Sequence, residues 1–182
     1  MVERASVRFQ GGIMVGKKVK DSQMTMIMQM TGQDANLAGN VHGGVVMKYI
    51  DSTAGIVAIR HTSSNVVTAS IDRLDFHSPV YIGDLLTLKA CLNMVGRTSL
   101  EVGVRVEAES VLSGQVRHTA SAYLTFVALG PDGRPIEVPP LILESEEEIR
   151  RNEEAKARRE LRLAEKIREQ SAHAPTSPSR EK

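Results

Sequence analysis

The chain has 182 residues, of which 41% are apolar and 25% charged, a composition typical of one globular domain with an aliphatic core. With no Trp, three Phe and three Tyr, it lacks the aromatic platforms on which single-stranded nucleic acids stack. The 23 basic and 22 acidic residues give a formal charge of +1, too small to steer the protein to DNA or to an anionic bilayer. We therefore expect neither a nucleic acid nor a membrane as partner.

Targeting and redox features favour the cytoplasm. No apolar run approaches the length of about 20 residues that spans a bilayer, and residues 1–16 lack the apolar segment of a secretory signal. Cys91 is the only cysteine, which excludes an intramolecular disulfide and a cysteine-cluster metal site. The five histidines are too scattered for metal-ligand spacing, so no metal site is expected.

Composition divides the chain into four segments. We expect a flexible N-terminal extension (1–16), one folded domain (17–140), a charged helix (144–170) and a disordered tail (171–182). Residues 144–170 hold 17 charges in 27 positions, and Ser145 with Glu148 forms a capping-box pattern at the helix start. The thin apolar stripe of this helix predicts that it lies in solvent, with packing against another subunit as the alternative.

Within the folded domain, hydrophobic periodicity predicts one strand, one helix and then four strands. The predicted ranges are 21–31 for the first strand, 43–61 for the helix, and 65–80, 84–95, 99–110 and 116–128 for the other strands. Apolar residues surround nearly the whole helix, so we expect burial on most sides. Short connections exclude parallel crossovers among the last four strands, which predicts an antiparallel meander. The fold class is α+β, with the sheet wrapped around a central helix.

A polar, glycine-rich segment leads into this helix. Backbone amides at a helix start are free, and no side chain shields them at Gly43 and Gly44, so the pair can polarise a carbonyl group. Two turns further on, Asp51 is a carboxylate among Val, Ile, Met and Ala, where a charge persists when it is paired or used in function. The structural alternative is an ion pair of Asp51 with Lys48 or Arg60.

The spacing of these groups predicts a dimer. Gly43 and Asp51 are eight residues apart, or about 12 Å along a helix axis, so one carbonyl cannot touch both. If both act on the same carbon, they come from different subunits, with two such helices antiparallel across a twofold axis.

Five stretches then form an ordered set: DANLAGNVHGG (34–44), MKYIDSTAGIVAIRH (47–61), NVVTASIDRLDFHSPVYIGD (65–84), GRTS (96–99) and ASAYLTFVAL (120–129). Together they resemble the hotdog-fold acyl-CoA thioesterases, especially the cytosolic long-chain acyl-CoA hydrolases and their bacterial relatives. The resemblance covers residues 18–165, including the charged helix. It implies a hotdog fold and hydrolysis of fatty acyl-CoA to free fatty acid and coenzyme A.

The resemblance also implies residue roles. In that family an Asn before the helix and an Asp on the helix act together, which corresponds to Asn36 and Asp51; the residues alone did not choose between Asn36 and Asn40. The amides of Gly43 and Gly44 would polarise the thioester carbonyl, and Asp51 would act as general base or nucleophile.

Coenzyme A would be the anionic half of the substrate, so no further cofactor is expected. Its phosphates need local cations and donors. The candidates are Arg60, Arg97, Thr98 and Ser99. The family also implies an assembly of three dimers.

Two other functions stay open. The first is a hotdog hydratase. Such hydratases carry a His three residues after the Asn of a D-x-N motif, and this chain has Gly39 at that position, so the general base for dehydration is missing. A non-catalytic acyl-CoA-binding regulatory module would need a DNA-binding segment, and neither end shows a helix-turn-helix pattern.

Overall fold

A 20-residue helix lies against an antiparallel sheet of five strands and contacts all of them. The computed structural model describes residues 6–9 and 12–172. Its elements in chain order are β1 (Ser6–Phe9), β2 (Gly12–Val15), β3 (Lys17–Lys18), α1 (Val19–Ser22), β4 (Met24–Gln29), a 3-10 turn (Gly32–Asp34), α2 (Gly43–Thr62), β5 (Asn65–Phe76), β6 (Leu85–Val95), β7 (Ser99–Ser110), β8 (Gln115–Leu129), β9 (Leu141–Ile142) and α3 (Glu146–Ala172). The expected α+β architecture is confirmed.

The central helix α2 ends one residue beyond its predicted range and buries one face. That face follows the period of an amphipathic helix, and its members are Val46, Ile50, Thr53, Ala54, Val57, Ala58 and His61. The expectation of burial on most sides is wrong, because Met47 is 40% exposed and Ile59 is 46% exposed. One side of the helix packs on the sheet, and the other keeps apolar side chains at the surface of this chain.

The strand order of the main sheet is β4-β6-β7-β8-β5. All neighbours are antiparallel, as expected, but only β6, β7 and β8 form a meander. The prediction that β5 joins it beside β6 is wrong, since β5 pairs with β8 at the edge. Residues 77–84 connect β5 to β6, which lies three strands away in the sheet. Eight residues reach about 26 Å, and three strand spacings total about 14 Å, so the connection is long enough to cross the sheet.

Backbone hydrogen bonds hold this connection across the end of the sheet. His77 N–H donates to Thr119 O and Gly83 N–H donates to Met30 O, each at 2.8 Å. The predicted first strand also begins too early, because residues 19–22 form the short helix α1. The predicted second strand ends at Phe76 and not at residue 80.

Two short strands lie within the segment 1–16 that composition predicts to be a flexible extension. β1 and β2 pair antiparallel, with Val7 opposite Met14 and Phe9 opposite Gly12. In β1, polar and apolar residues alternate, a pattern that favours a strand. Residues 1–5 and 10–11 lie outside the described residues, as does the predicted disordered tail from residue 173 onward.

The first half of α3 packs on the outer face of the sheet, so the prediction of a helix lying in solvent is wrong there. Ala155 is fully buried, and Asn152 Nδ2 donates to Asn93 O at 2.8 Å. The predicted capping box is confirmed, since Glu148 N–H donates to Ser145 Oγ at 3.2 Å and Ser145 N–H donates to Glu148 Oε2 at 3.3 Å. In the distal half, Leu161, Leu163 and Ile167 are exposed.

A buried ion pair joins α3 to the sheet and predicts a large loss of stability when it is broken. Glu101 on β7 is 1% exposed and accepts from Arg158 Nη2 at 2.7 Å. Removing the guanidinium leaves a buried carboxylate without its counter-charge, so Arg158→Ala should lower the free energy of unfolding by about 3 kcal/mol. Urea unfolding measures this change.

A matched control comes from the exposed pair of Arg150 and Glu154 on the same helix. Arg150→Ala should cost less than about 1 kcal/mol, because exposed ion pairs contribute little. Equal losses in Arg158→Ala and Arg150→Ala would contradict the role of the buried pair.

The buried His61 predicts a loss of stability in acid. Its Nε2 donates to Pro139 O at 2.8 Å, so Nδ1 is the unprotonated nitrogen. Nδ1 has no hydrogen-bond partner among the residues that the structure describes. Burial lowers the pKa of His61 below its ordinary value of 6.5. The imidazole of His61 therefore binds a proton less readily in the folded state than in the unfolded state. The contribution of neutral His61 to the free energy of unfolding is complete above pH 6.5 and is lost as the pH falls through the lowered pKa.

The measurement is urea unfolding of the wild type and of His61→Gln, which keeps a donor but does not titrate. Between about pH 7.5 and about pH 5, the wild type should lose more stability than the variant. The same pH dependence in both proteins would show that His61 is not the sensitive group.

Candidate active site

A tight loop before α2 fixes the side chain of Asn36. Its Oδ1 accepts from the backbone N–H groups of Ala38 at 2.8 Å and Asn40 at 3.2 Å. Gly39 adopts a φ of +81° within this loop, a conformation that glycine adopts without steric cost. Both bonds use the oxygen of the side chain. The Nδ2 group has no hydrogen-bond partner within the described part of the chain. Asn36 can therefore act toward a ligand only as a donor.

Asn36 lines a cavity of about 350 Å³ at the start of α2. Gly43 lines it too, and its N–H has no hydrogen-bond partner among residues 6–9 and 12–172. The Gly44 N–H, by contrast, donates to Nδ1 of the capping residue His42 at 2.9 Å. The expectation of two free glycine amides is thus wrong for Gly44, because a cap side chain satisfies it.

The remaining walls of this cavity are mostly apolar. They comprise Val41, Val46, Phe76, Pro79 and Val80, with the polar residues Asn40, His77 and Ser78. Thus Asn36 and Gly43 present two free donors beside an apolar surface. Such a pair can stabilise negative charge that develops on a carbonyl oxygen.

Asp51 lies on α2, half-buried, and forms a hydrogen bond that no local pattern predicts. Thr68 Oγ1 on β5 donates to Asp51 Oδ1 at 2.7 Å. The other oxygen, Oδ2, has no hydrogen-bond partner in the described residues. No ion pair of Asp51 with Lys48 or Arg60 forms among them either. One carboxylate oxygen is held, and the other is free for chemistry.

A β-bulge lies directly beside Thr68. The β5–β8 register shifts between Thr68 and Ser70, which leaves Ala69 without a cross-strand partner. Bulges bend a strand and redirect side chains, and they occur often beside active sites. No sequence signal marked Thr68, since threonine is common in strands.

The structure brings some predicted site residues together and separates others. Asn36 and Gly43 share the cavity, whereas Asp51 is not among the residues that line it. This agrees with the distance of about 12 Å along the helix between Gly43 and Asp51. Within a single chain, the donor pair and the carboxylate therefore do not share one cavity.

The four residues predicted to bind phosphate also separate. Arg97 and Thr98 form the turn between β6 and β7, and Ser99 begins β7. Arg60, however, donates through Nη1 and Nη2 to the backbone carbonyls of Gln23 and Asp21, at 3.2 and 3.1 Å. Its guanidinium links α2 to the segment before β4, so these hydrogen bonds stabilise the packing of the two segments.

Comparison with known proteins places this geometry in a family. Residues 38–114 match the Thioesterase superfamily. A solved apo-hexameric acyl-CoA thioesterase is 39% identical, with a TM-score of 0.80 over 82% of this chain and 96% of its own. The chain belongs to the thioesterase superfamily. The hotdog fold that the resemblance implied is confirmed with it.

Two further relatives of this superfamily carry functional names. The acyl-CoA hydrolase of Staphylococcus aureus, solved with butyryl coenzyme A and coenzyme A, is 35% identical, with a TM-score of 0.79 over 86% of this chain and 95% of its own. Three of its variants, each with an aspartate, an asparagine or a threonine changed to alanine, are also solved. The cytosolic acyl coenzyme A thioester hydrolase of Rattus norvegicus is 42% identical over 142 residues, which are 77% of this chain but 37% of that protein. The chain therefore spans little more than a third of the length of this curated relative.

Proposed function

We propose that this protein is an acyl-CoA thioesterase, which hydrolyses fatty acyl-CoA to a free fatty acid and coenzyme A. The observation that carries the proposal is the carboxylate of Asp51, held by Thr68 through one oxygen and free at the other. A fixed carboxylate with a free oxygen is suited to take a proton from water or to attack a carbonyl carbon.

Residue spacing supports the same assignment. In the Staphylococcus aureus hydrolase, the asparagine that was changed precedes the changed aspartate by 15 positions, and the changed threonine follows it by 17. Asn36, Asp51 and Thr68 have the same two intervals. Two of these three residues form a hydrogen bond here, and the third presents a free amide donor.

The chemistry assigns a separate task to each group. The Nδ2 group of Asn36 and the N–H of Gly43 donate to the thioester carbonyl oxygen and stabilise the oxyanion. Asp51 removes a proton from the attacking water, or attacks the carbonyl carbon itself and is released by water from the resulting anhydride. In both routes the C–S bond breaks, coenzyme A leaves as the thiolate, and the fatty acid is the other product.

A dimer with shared sites would bring the donor pair and the carboxylate together. One edge of β5 pairs with no other strand of the described residues, and this strand carries the exposed side chains of Val67 and Ile71. The helix α2 exposes Met47. Unpaired strand edges and grouped apolar side chains are typical of surfaces that another chain covers. Two antiparallel copies of α2 would bring Asp51 of one subunit to Gly43 and Asn36 of the other. We extend the proposal to three such dimers, in line with the hexameric solved thioesterase.

We propose a cytoplasmic location and no cofactor beyond the coenzyme A of the substrate. The word cytosolic stands in the name of the Rattus norvegicus relative. In the described part of the chain, no helix has both the length and the apolarity to cross a bilayer.

The test is release of free thiol from a series of substrates, from acetyl-CoA to stearoyl-CoA. The proposal predicts release with at least one of them and a preference that reports the acyl-chain length. Binding of acyl-CoA without thiol release would instead indicate a binding module. Loss of the enoyl absorbance of crotonyl-CoA without thiol release would indicate a hydratase.

A further inference from the structure

The loop that carries Asn36 is attached to the connection between β5 and β6. Asn36 N–H donates to Asn40 O at 2.7 Å, and Asn40 pairs with Tyr81 in an isolated antiparallel bridge. Next to this bridge, Val41 N–H donates to Val80 O at 2.9 Å. The position of Asn36 therefore depends on where this part of the connection lies.

One carboxylate fixes the end of the connection. Tyr81 N–H donates to Asp84 Oδ2 at 2.9 Å, and Asp84 N–H donates back to Tyr81 O at 3.1 Å, which closes a tight turn. Asp84 is 5% exposed, and a carboxylate at such depth requires a counter-charge and hydrogen-bond donors. Arg117 on β8 supplies both, since its Nη2 donates to the same oxygen, Oδ2, at 2.6 Å.

Arg117 belongs to the main sheet and lies outside the cavity. It is opposite Ala108 in the β7–β8 pairing, and neither Arg117 nor Asp84 is among the residues that line the cavity. The guanidinium carbon of Arg117 also lies 5.1 Å from the centroid of the Tyr81 ring, within the range of a cation–π contact. Arg117 therefore contacts the turn at two points, and it can affect a ligand in the cavity only through this turn.

The ion pair of Arg117 with Asp84 is better suited to fixing a position than to adding stability. Replacing both members of a buried ion pair often costs a protein little stability, because the desolvation of the charges offsets their attraction. The buried Nε of Arg117 has no hydrogen-bond partner among the described residues, which is a further cost. A contact that adds little stability but holds one turn in place is consistent with a positioning role.

We propose that Arg117 is a positioning residue for the candidate active site. Together with Asp84 it fixes the turn, and the turn holds Asn40. Asn40 holds the loop that presents the free amide donor of Asn36. This inference rests on the proposed function, in which Asn36 stabilises the oxyanion. A displacement of about 1 Å in such a donor can lower a rate about 100-fold, even when the altered residue lies far from the chemistry.

The kinetic test measures thiol release by Arg117→Met, which removes the charge and its N–H donors. We expect kcat to fall about tenfold with KM nearly unchanged, because the donor that is displaced acts on the transition state. In the Asn36→Ala background, adding Arg117→Met should lower kcat less than about twofold, since the group that it positions is already absent. Equal factors in the two backgrounds would overturn the positioning role.

The matched control for this test is Arg105→Met. Arg105 is an arginine of the neighbouring strand β7 and forms an exposed ion pair with Glu107. Glu107 keeps a second ion pair, with Lys89 at 2.6 Å, so this variant leaves no carboxylate without a partner. It should leave kcat unchanged. A fall in kcat as large as that of Arg117→Met would contradict a role specific to Arg117.

A double variant separates positioning from stability. In Arg117→Met the Asp84 carboxylate stays buried without its counter-charge, which lowers the free energy of unfolding. Asp84→Asn/Arg117→Met removes that charge, while the asparagine oxygen can still accept from Tyr81 N–H. In urea unfolding this variant should regain most of the lost stability, but kcat should stay low, because no side chain joins β8 to the turn. Recovery of kcat together with stability would assign Arg117 a structural role only.

Hydrogen exchange followed by NMR tests the same series of contacts without a reaction. In Arg117→Met, the backbone amides of Asn36, Asn40 and Val41 should exchange about tenfold faster than in the wild type, because the loop opens more often. The amide of Val138, which donates to Arg97 O beyond the opposite end of β6, should exchange at the same rate in both proteins. Unchanged exchange at Asn36 would overturn the inference. Because this measurement needs no substrate, it distinguishes a failure of the inference from a failure of the proposed function.

Discussion

Asp51→Asn should lower kcat/KM for acyl-CoA hydrolysis by a factor of about 10² to 10⁴, the range that a positioned acid or base contributes. The asparagine keeps the size of the side chain and can still accept from Thr68, so the fold should persist. It cannot accept the proton of water or act as a nucleophile. Thiol release at saturating and at low substrate concentration measures the loss.

Two further variants make this result specific. Thr68→Val should lower kcat by a smaller factor, about tenfold, because it removes one hydrogen bond to Asp51 but leaves the carboxylate. Ser52→Ala, at the exposed position next to Asp51 on α2, should leave activity unchanged. Full activity of Asp51→Asn would contradict a catalytic role for this carboxylate.

Mixing inactive Asn36→Ala subunits with inactive Asp51→Ala subunits should restore activity. If each site takes Asn36 from one subunit and Asp51 from the other, a mixed dimer holds one intact site and one doubly damaged site. Random exchange makes half of the dimers mixed, so recovery should approach about a quarter of the wild-type rate. The measurement is thiol release after subunit exchange, with exchange followed by native mass spectrometry.

The control mixes two differently tagged preparations of Asp51→Ala, which should exchange equally well and stay inactive. If exchange of Asn36→Ala with Asp51→Ala is confirmed but activity does not rise above this control, the result would contradict a site shared between subunits. It would mean that both residues act from one chain or that Asn36 is not catalytic. The double variant Asn36→Ala/Asp51→Ala should be little worse than either single variant, because catalytic groups that act as a unit are not additive.

The sequence by itself determined the central helix, the three strands of the meander and the candidate catalytic carboxylate, Asp51. The apolar period of α2 and the alternation in β6, β7 and β8 are local patterns, so their bounds agree with the structure to within one residue. Asp51 could be singled out because a charge in an apolar helix is visible in a short stretch of chain. The distance of Gly43 from Asp51 followed from helix geometry alone.

Only the tertiary structure decided which groups meet. Thr68 reaches Asp51 across 17 residues of chain beside a bulge, and Arg158 reaches Glu101 across 57, so neither contact is written in a local pattern. The place of β5 beside β8 depends on how an eight-residue connection crosses the sheet. Gly44 has no free amide because the neighbouring His42 adopts a capping rotamer, which residue type does not specify. Periodicity assigns each residue to a helix or strand, but contacts between elements depend on packing over distances that periodicity does not carry.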